Sequence, residues 1–417
     1  MKILHINTND RFGGAARAAY RIHEGLLAND VCSKLWTQNK TFDDDNIIYN
    51  NSKLDKIKTI INKKTDSFFK YINKTTVKTP WSLGEALFDS NLGKIQDKYD
   101  IVHLHWINEG FIPIRNMSKL YKPVVWTLHD SWAFTGGCHI PYTCKKYEIG
   151  CSECPQLSGS RFLDLSKHVF NKKGKYYKNA MKIVCPSKWL AECAKKSLLF
   201  KDMDIRVIPN GINIQKYQIR NKIFARQLFG VSRENKVILF GAMGATSDEN
   251  KGFKYLYNAI RYLYNENKGK IEVVIFGSTK PISAPDFGFK TKYVGQIYDD
   301  ITLNLLYSAA DVMVVPSKSE SFGQTAVEAM SSGTPCVAFN CTGLKDIIDN
   351  KLNGYLATPY DEKDLANGIR YIISEENRWE KLSREARKKV EQYFDVNIVS
   401  KKYISLYNEM LSENNNG

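Results

Sequence analysis

The chain has 417 residues and a formal net charge of +16. That length is too great for one ordinary core and points to two domains of roughly 200 residues each. No run approaches the ~20 consecutive apolar residues that a membrane-spanning helix requires. Met1–Ile6 enters a strand-like pattern without signal-peptide anatomy, so a cytoplasmic chain is expected. Its nine cysteines are then free thiols or metal ligands rather than a disulfide framework. The charge admits nucleic acid, an anionic membrane or a phosphorylated substrate, and composition does not choose among them.

Ile3–Ile6 reads as a buried strand, followed by Phe12-Gly13-Gly14-Ala15-Ala16-Arg17 and a helix over Ala15–Leu27. Glycines at such a turn let the backbone approach a ligand closely. The Gly-x-Gly-x-x-Gly of a dinucleotide site is absent, and a plain helix-entry turn is the competing reading. Between Lys53 and Lys78 eight lysines stand against Asp55 and Asp66 alone, and Leu54, Ile57, Ile61, Phe68 and Ile72 recur at helical spacing. A basic amphipathic helix suits an anionic membrane surface. A helix packed on its domain with a solvated lysine face fits the same pattern.

Ile101–His105 and Val124–Leu128 read as further buried strands, with His129-Asp130 at the carboxyl end of the second. A histidine there either bonds a ligand hydroxyl or is a satisfied structural residue. Cys138, Cys144, Cys151 and Cys154 follow in a loop rich in proline and glycine. Four cysteines ending in Cys-x2-Cys suit a tetrahedral structural zinc, with His139 as a substitute ligand. Reduced, unliganded thiols are the alternative. After the strand Ile183–Pro186, the turn Ile208-Pro209-Asn210-Gly211-Ile212 divides the chain.

Strand–helix alternation then restarts with Val237–Phe240, Ile271–Phe276, Val312–Val315 and Pro335–Phe339, and with helices over Lys254–Asn267 and Gln324–Ser331. This pattern builds parallel sheets covered on both faces, whose ligands bind beyond the carboxyl ends of the strands. Two loops lie there. Gly241 opens the first, which carries Lys251-Gly252; a lysine in it can neutralise a leaving diphosphate. The second runs Glu320-Ser321-Phe322-Gly323 into the helix that holds Glu328. Its amides, around Phe322 and Gly323, form a helix N-terminus suited to an anion. Surface glutamates and a decorative surface lysine are the plain alternatives. The polar tail Ser412–Gly417 is expected to be disordered.

The Glu-x7-Glu spacing after a strand, with Pro209-Asn210-Gly211 and Asn353-Gly354-Tyr355-Leu356, resembles the retaining glycosyltransferases of family 4. The resemblance runs through nearly the whole chain and is strongest after residue 180. It implies the GT-B fold: two doubly wound Rossmann-like α/β domains facing across a cleft. Residues 1–210 would form the acceptor-side domain and 211–395 the nucleotide-sugar domain, with 396–417 a helix crossing back to the first. By the same resemblance Glu320 contacts the donor sugar, Glu328 the ribose, Lys251 the diphosphate, and Gly14 lines the cleft. His129 matches a histidine of the family, and Ala242 stands where the family usually has an arginine. The segment Asp130–Cys138 resembles a branch that builds capsular and extracellular polysaccharide.

The expected partners are a nucleotide-diphosphate sugar and a glycan or lipid-linked acceptor, with no nucleic acid and no cofactor needed for catalysis. Lys251 and helix dipoles would replace a divalent cation, since Asp43-Asp44-Asp45 reads as solvated loop. Two rivals stand beside this expectation. One is another enzyme of the same fold, such as a nucleotide-sugar epimerase or a phosphorylase. The other is a nucleic-acid-binding protein, which the charge permits but no reading motif supports.

Overall fold

The computed structural model describes residues 1–72, 79–158, 164–177, 180–264 and 269–415, with the side chains of 68–72 and 414–415 left aside. It forms two units: Met1–Gly211 with Asn397–Gly417, and Ile212–Val396.

The first unit is built on a seven-stranded sheet in which all neighbours run parallel. Its strands are β1 (Lys2–Asn9), β2 (Cys32–Asn39), β3 (Ile47–Tyr49), β4 (Ile101–Leu104), β5 (Val124–Thr127), β6 (Lys182–Cys185) and β7 (Asp204–Val207). Their order is β3-β2-β1-β4-β5-β6-β7, so the winding reverses between β1 and β4. β4, β5 and β6 are buried along their whole lengths, as strands covered on both faces must be. The helix Val396–Asn415 supplies part of that cover. Val399, Tyr403, Leu406, Tyr407 and Met410 pack on Ile3, Ile101, Val125 and Val184.

The expectation of a disordered tail fails for Ser412–Asn415, which continue this helix. A tether explains it: the Lys182 ammonium donates to Glu409 at 2.7 Å and to Glu413 at 2.9 Å.

The basic segment forms a helix over Lys53–Ile72, while 73–78 lie outside the described residues. Among the described side chains of this helix, residues 53–67, Asn62 and Asp66 are the buried positions. Asn62 exchanges hydrogen bonds with the Phe88 backbone, and Asp66 accepts from the amide of Gly84 at 2.9 Å. Leu54, Ile57 and Ile60 face away, 70%, 53% and 55% exposed. The helix thus docks on its domain through polar groups and leaves Lys53, Lys56, Lys58 and Lys64 exposed; Phe68 and Ile72 of the expected apolar stripe lie outside the described side chains.

The second unit holds a six-stranded parallel sheet of β8 (Lys236–Gly241), β9 (Ile271–Phe276), β10 (Lys290–Gly295), β11 (Val312–Val315), β12 (Cys336–Phe339) and β13 (Gly354–Ala357). Its order is β10-β9-β8-β11-β12-β13, with the reversal between β8 and β11. One face is covered by the helices Phe253–Leu263 and Glu362–Ile373, and the other by Asp300–Ala309, Gln324–Ser331 and Glu376–Tyr393. Among the described residues no helix is long and apolar enough to cross a membrane.

β7 and β10 carry no continuous apolar run, and β3 is only the three residues IIY at a sheet edge. β10 is the sequence KTKYVG, half-buried at a sheet edge, and β7 is DIRV at the opposite edge of its own sheet. A strand with one neighbour needs less apolar surface than a central one.

Candidate active site

Ligands of doubly wound sheets sit beyond the strand ends where the winding reverses. In the second unit this point lies between the loops after β8 and β11, and the geometry there is specific. Lys251 Nζ donates to Glu320 Oε1 at 2.8 Å, and the two side chains are 22% and 18% exposed. Burial by itself would lower the lysine's pKa. The carboxylate of Glu320, helped by Asp248, outweighs that and raises it, so the ammonium stays charged.

The two loops are clamped to each other. Asn250, 2% exposed, donates from its side chain to the Ser319 carbonyl at 2.8 Å, and its own carbonyl accepts from the Lys318 amide at 2.8 Å. Gly252 has φ +72°, and a Cβ there would stand 1.9 Å from the Pro316 carbonyl oxygen. Only glycine permits that approach. On the far side the Glu320 amide donates to Thr342 Oγ1 at 3.0 Å. Asn250 and Thr342 escaped the sequence reading because their partners lie 69 and 22 residues away.

Glu328 is 3% exposed, and its Oε2 accepts from the Tyr307 hydroxyl at 2.9 Å. The surface-glutamate alternative is thus excluded for both carboxylates. Gly323 precedes the helix Gln324–Ser331 with φ +121°, and no side chain caps the helix. The Phe322 ring is 2% exposed and packs edge-on to Phe394, so only its backbone is available to a ligand. Gly241 ends β8, where a Cβ would stand 2.2 Å from the Phe276 ring. Packing alone accounts for that glycine.

In the first unit the reversal lies between β1 and β4, and histidines gather there. His5 and His103 are register partners on adjacent strands, and His105 follows two residues on, on the same face. His5 Nδ1 and His105 Nε2 share a hydrogen bond of 2.9 Å, and His105 Nδ1 and His129 Nε2 one of 3.1 Å. His103 is engaged by Tyr407 and Thr127, both at 2.7 Å. Burial lowers the pKa of His129 to about 4, against a small opposing effect of Asp130. Burial and mutual repulsion push His5, His103 and His105 well below the ordinary value. All four are neutral at pH 7, and the orientation of His129 is set from the core through His105.

These three buried histidines are, among the described residues, the one group of possible ligands whose atoms all lie within 4.8 Å of one another. Gly14 starts the helix Gly14–Leu27 with open space where a Cβ would go. The strained position is its neighbour Gly13, at φ +98°.

The four cysteines of the loop line one small cavity with Tyr147 and Lys146. Cys138 hydrogen-bonds Cys154, whose thiol is brought down to about 7, and the Gly136 amide donates to Cys151 Sγ at 3.1 Å. No three of the sulfurs come within 4.8 Å of one another. Uncharged thiols have little reason to converge further without a cation. His139 is not a substitute ligand: its ring nitrogens bond Asp130 at 2.6 Å and Ser82 at 2.9 Å. Asp130 also accepts from the Trp106 indole and the Trp132 amide.

Two family models match this chain. Residues 12–216 match Glycosyltransferase Family 4, and 226–389 match Glycosyl transferases group 1. An uncharacterised glycosyltransferase of Methanocaldococcus jannaschii is 27% identical over 75% of this chain and 75% of its own. A putative colanic acid biosynthesis glycosyl transferase of Escherichia coli K12 is 22% identical, over 84% of this chain and 85% of its own. Among solved structures, Anabaena HepE in complex with UDP-glucose superposes with a TM-score of 0.66 at 17% identity, covering 99% of this chain and 100% of that one. With two doubly wound sheets and both models accounted for, the fold is that of the GT-B glycosyltransferases. The chain belongs to glycosyltransferase family 4, and it is a transferase.

Proposed function

We propose that this enzyme transfers a sugar, with retention of anomeric configuration, from a nucleotide-diphosphate donor to a glycan acceptor carried on a lipid, in the assembly of a surface polysaccharide. The observation that carries the donor half is the Lys251–Glu320 pair at the reversal of the second sheet. Lys251 meets the leaving diphosphate together with the uncapped helix at Gly323. Glu320, released from part of its ion pair, accepts from hydroxyls of the transferred sugar, and Glu328 accepts from the ribose. No side chain need attack the anomeric carbon: the leaving phosphate takes the acceptor proton while the site positions and neutralises. His129 and Gly14 serve the acceptor side.

The UDP-glucose bound by HepE supports a nucleotide-sugar donor, and the colanic acid relative supports a polysaccharide product. On this reading a divalent cation is dispensable, because Lys251 and backbone amides supply the positive charge. The cysteine loop would hold a structural zinc outside the reaction. The test is a thermal-shift series with UDP-, GDP-, ADP- and CMP-sugars, with and without chelator. One nucleotide class should raise the midpoint, since a ligand of the folded state alone must stabilise it. The shift should persist in chelator. Folded protein that responds to none of them would overturn the donor assignment.

A further inference from the structure

We propose that the cavity between the end of β2 and the helix Lys53–Ile72 binds one neutral sugar residue of the acceptor glycan, next to the residue that reacts. It holds about 570 Å³ of space, counted to its open mouth, which is the size of a ligand pocket. Trp36 and Gln38, two residues apart on one face of β2, line it together. The helix contributes Asp55 and Thr59, and two loops contribute Phe88 and Phe111. These pieces are joined before any ligand arrives. Asn62 exchanges hydrogen bonds with the Phe88 backbone. Gly110, at φ +69°, brings the loop after β4 so close to the helix that a Cβ would stand 2.6 Å from the Asn62 carbonyl. β2 lies on the outer side of β1 from the reversal between β1 and β4, so a sugar held here is a neighbour of the reacting one.

The lining selects the ligand. Gln38 is 8% exposed, and its Nε2 donates to the Glu109 carbonyl at 3.4 Å. Its Oε1 is buried and has no hydrogen-bond partner among the described residues. A buried acceptor without a partner is costly, so this oxygen is placed for a donor that arrives with a ligand. Asp55, half-buried and bonded to Ser52 at 2.7 Å, is a second acceptor on the wall. Hydroxyl groups suit both. The Trp36 and Phe111 rings, edge to face at 5.0 Å, and Phe88 supply apolar surface for the C–H face of a pyranose. Asp89 also lines the cavity but is occupied by Arg115 and Lys119, which leaves Asp55 and Lys58 in balance. A neutral lining favours a neutral ligand, and a wholly apolar one would leave Gln38 Oε1 unpaired. The inference rests on the reading of the acceptor as a glycan.

The experiment is saturation-transfer NMR on the full chain with free hexoses, 6-deoxyhexoses and N-acetylhexosamines, and with inorganic phosphate as competitor. Binding is read without transfer, so it does not depend on which acceptor the enzyme uses. Two variants locate the signal. Gln38→Leu keeps the volume and removes the unpaired acceptor, and Thr59→Trp fills the cavity from the half-buried wall of the helix. Circular dichroism and melting check both folds, and if Gln38→Leu melts early Thr59→Trp decides alone. At least one class of sugar should bind the native chain. Gln38→Leu should weaken it roughly three- to tenfold, the value of one hydrogen bond, and Thr59→Trp should abolish it. Phosphate should not compete. Midpoint shifts induced by nucleotide sugars should be the same in all three proteins, so a donor shift without cavity binding sinks this inference and leaves the donor reading standing. No binding by any of the sugars, or binding that survives Thr59→Trp, overturns the proposal. Displacement by phosphate does the same and makes the ligand an anion.

Discussion

Tyr307 and Glu328 meet 2.9 Å apart in the core of the second unit, a phenol donating to a carboxylate across two neighbouring helices. The carboxylate is therefore oriented before any ligand arrives. Tyr307→Phe deletes this bond and keeps the ring, which packs edge-on to Phe276. A hydrogen bond to a charged group contributes roughly 1.5–3 kcal/mol. We expect donor KM to rise about tenfold or more, with kcat changed much less. A fall in kcat at constant KM would show that Glu328 does not act in ground-state donor binding.

Lys251 and Glu320 should fail differently. On the proposed reading Lys251→Ala removes the cation that neutralises the leaving group and should cost turnover roughly a hundredfold or more. Glu320→Gln keeps the size and removes the charge, so it should weaken turnover while leaving nucleoside diphosphate binding nearly intact. Steady-state kinetics combined with titration of the free nucleotide reads both. Equal and negligible effects would remove the pair from the active site.

Acid should unfold the first unit. His23, wholly buried against Ser33, has a pKa lowered from 6.5 to about 4, chiefly by burial. Between those values the unfolded chain binds a proton that the folded chain refuses. Stability is thus fully present above about pH 6.5, is lost as pH falls toward 4, and levels off below. His23 alone accounts for roughly 3 kcal/mol of this, and His5, His103 and His105 act in the same direction. The melting temperature should drop steeply between about pH 6.5 and 4.5. A flat profile would mean that these imidazoles are already charged in the fold.

Zinc in the cysteine loop is a question of stoichiometry. Elemental analysis of protein purified without chelator should give one zinc per chain, and Cys151→Ser should abolish it. A chelator should lower the midpoint of the first unit and leave donor-induced stabilisation of the second unchanged. Metal-free protein with the native midpoint would mean that the thiols are structural on their own. Lys173 makes that outcome intelligible. Its buried amino group already holds the loop by donating to the carbonyls of Trp132 and Thr135 and lies over the Trp132 ring.

The central strands were legible because strands covered on both faces are dominated by apolar residues, as IEVVIF of β9 is but for Glu272. The edge strand KTKYVG was not, because half of its surface meets water. Glu320 and Lys251 could be found because each follows such a strand and each carries a charge. Asn250, Thr342 and Tyr307 could not, since an asparagine, threonine or tyrosine gains its role only from a partner that folding delivers. The histidine series shows the intermediate case. The alternation His103-x-His105 puts both rings on one face, yet only the pairing of β1 with β4 adds His5 to them. Periodicity likewise showed that the basic helix has an apolar stripe. It said nothing of how Asn62 and Asp66 would be buried on the domain while Leu54, Ile57 and Ile60 face away, because their partners at Phe88 and Gly84 are delivered by folding.

The order of biosynthesis follows from the last helix. His103 meets Tyr407 across 304 residues of sequence, and the sheet face made of Ile3, Ile101, Val125 and Val184 shares its cover between Ile22 and Leu26 of the first helix and Val399, Tyr403, Leu406, Tyr407 and Met410 of the last. A nascent first unit emerges from the ribosome with the last helix's share of that cover missing while the second unit is made and folds. Until residues 399 to 410 are translated, the growing chain lacks the apolar side chains that complete this cover. A stop codon placed anywhere before them would leave a product that is incomplete in the half synthesised first.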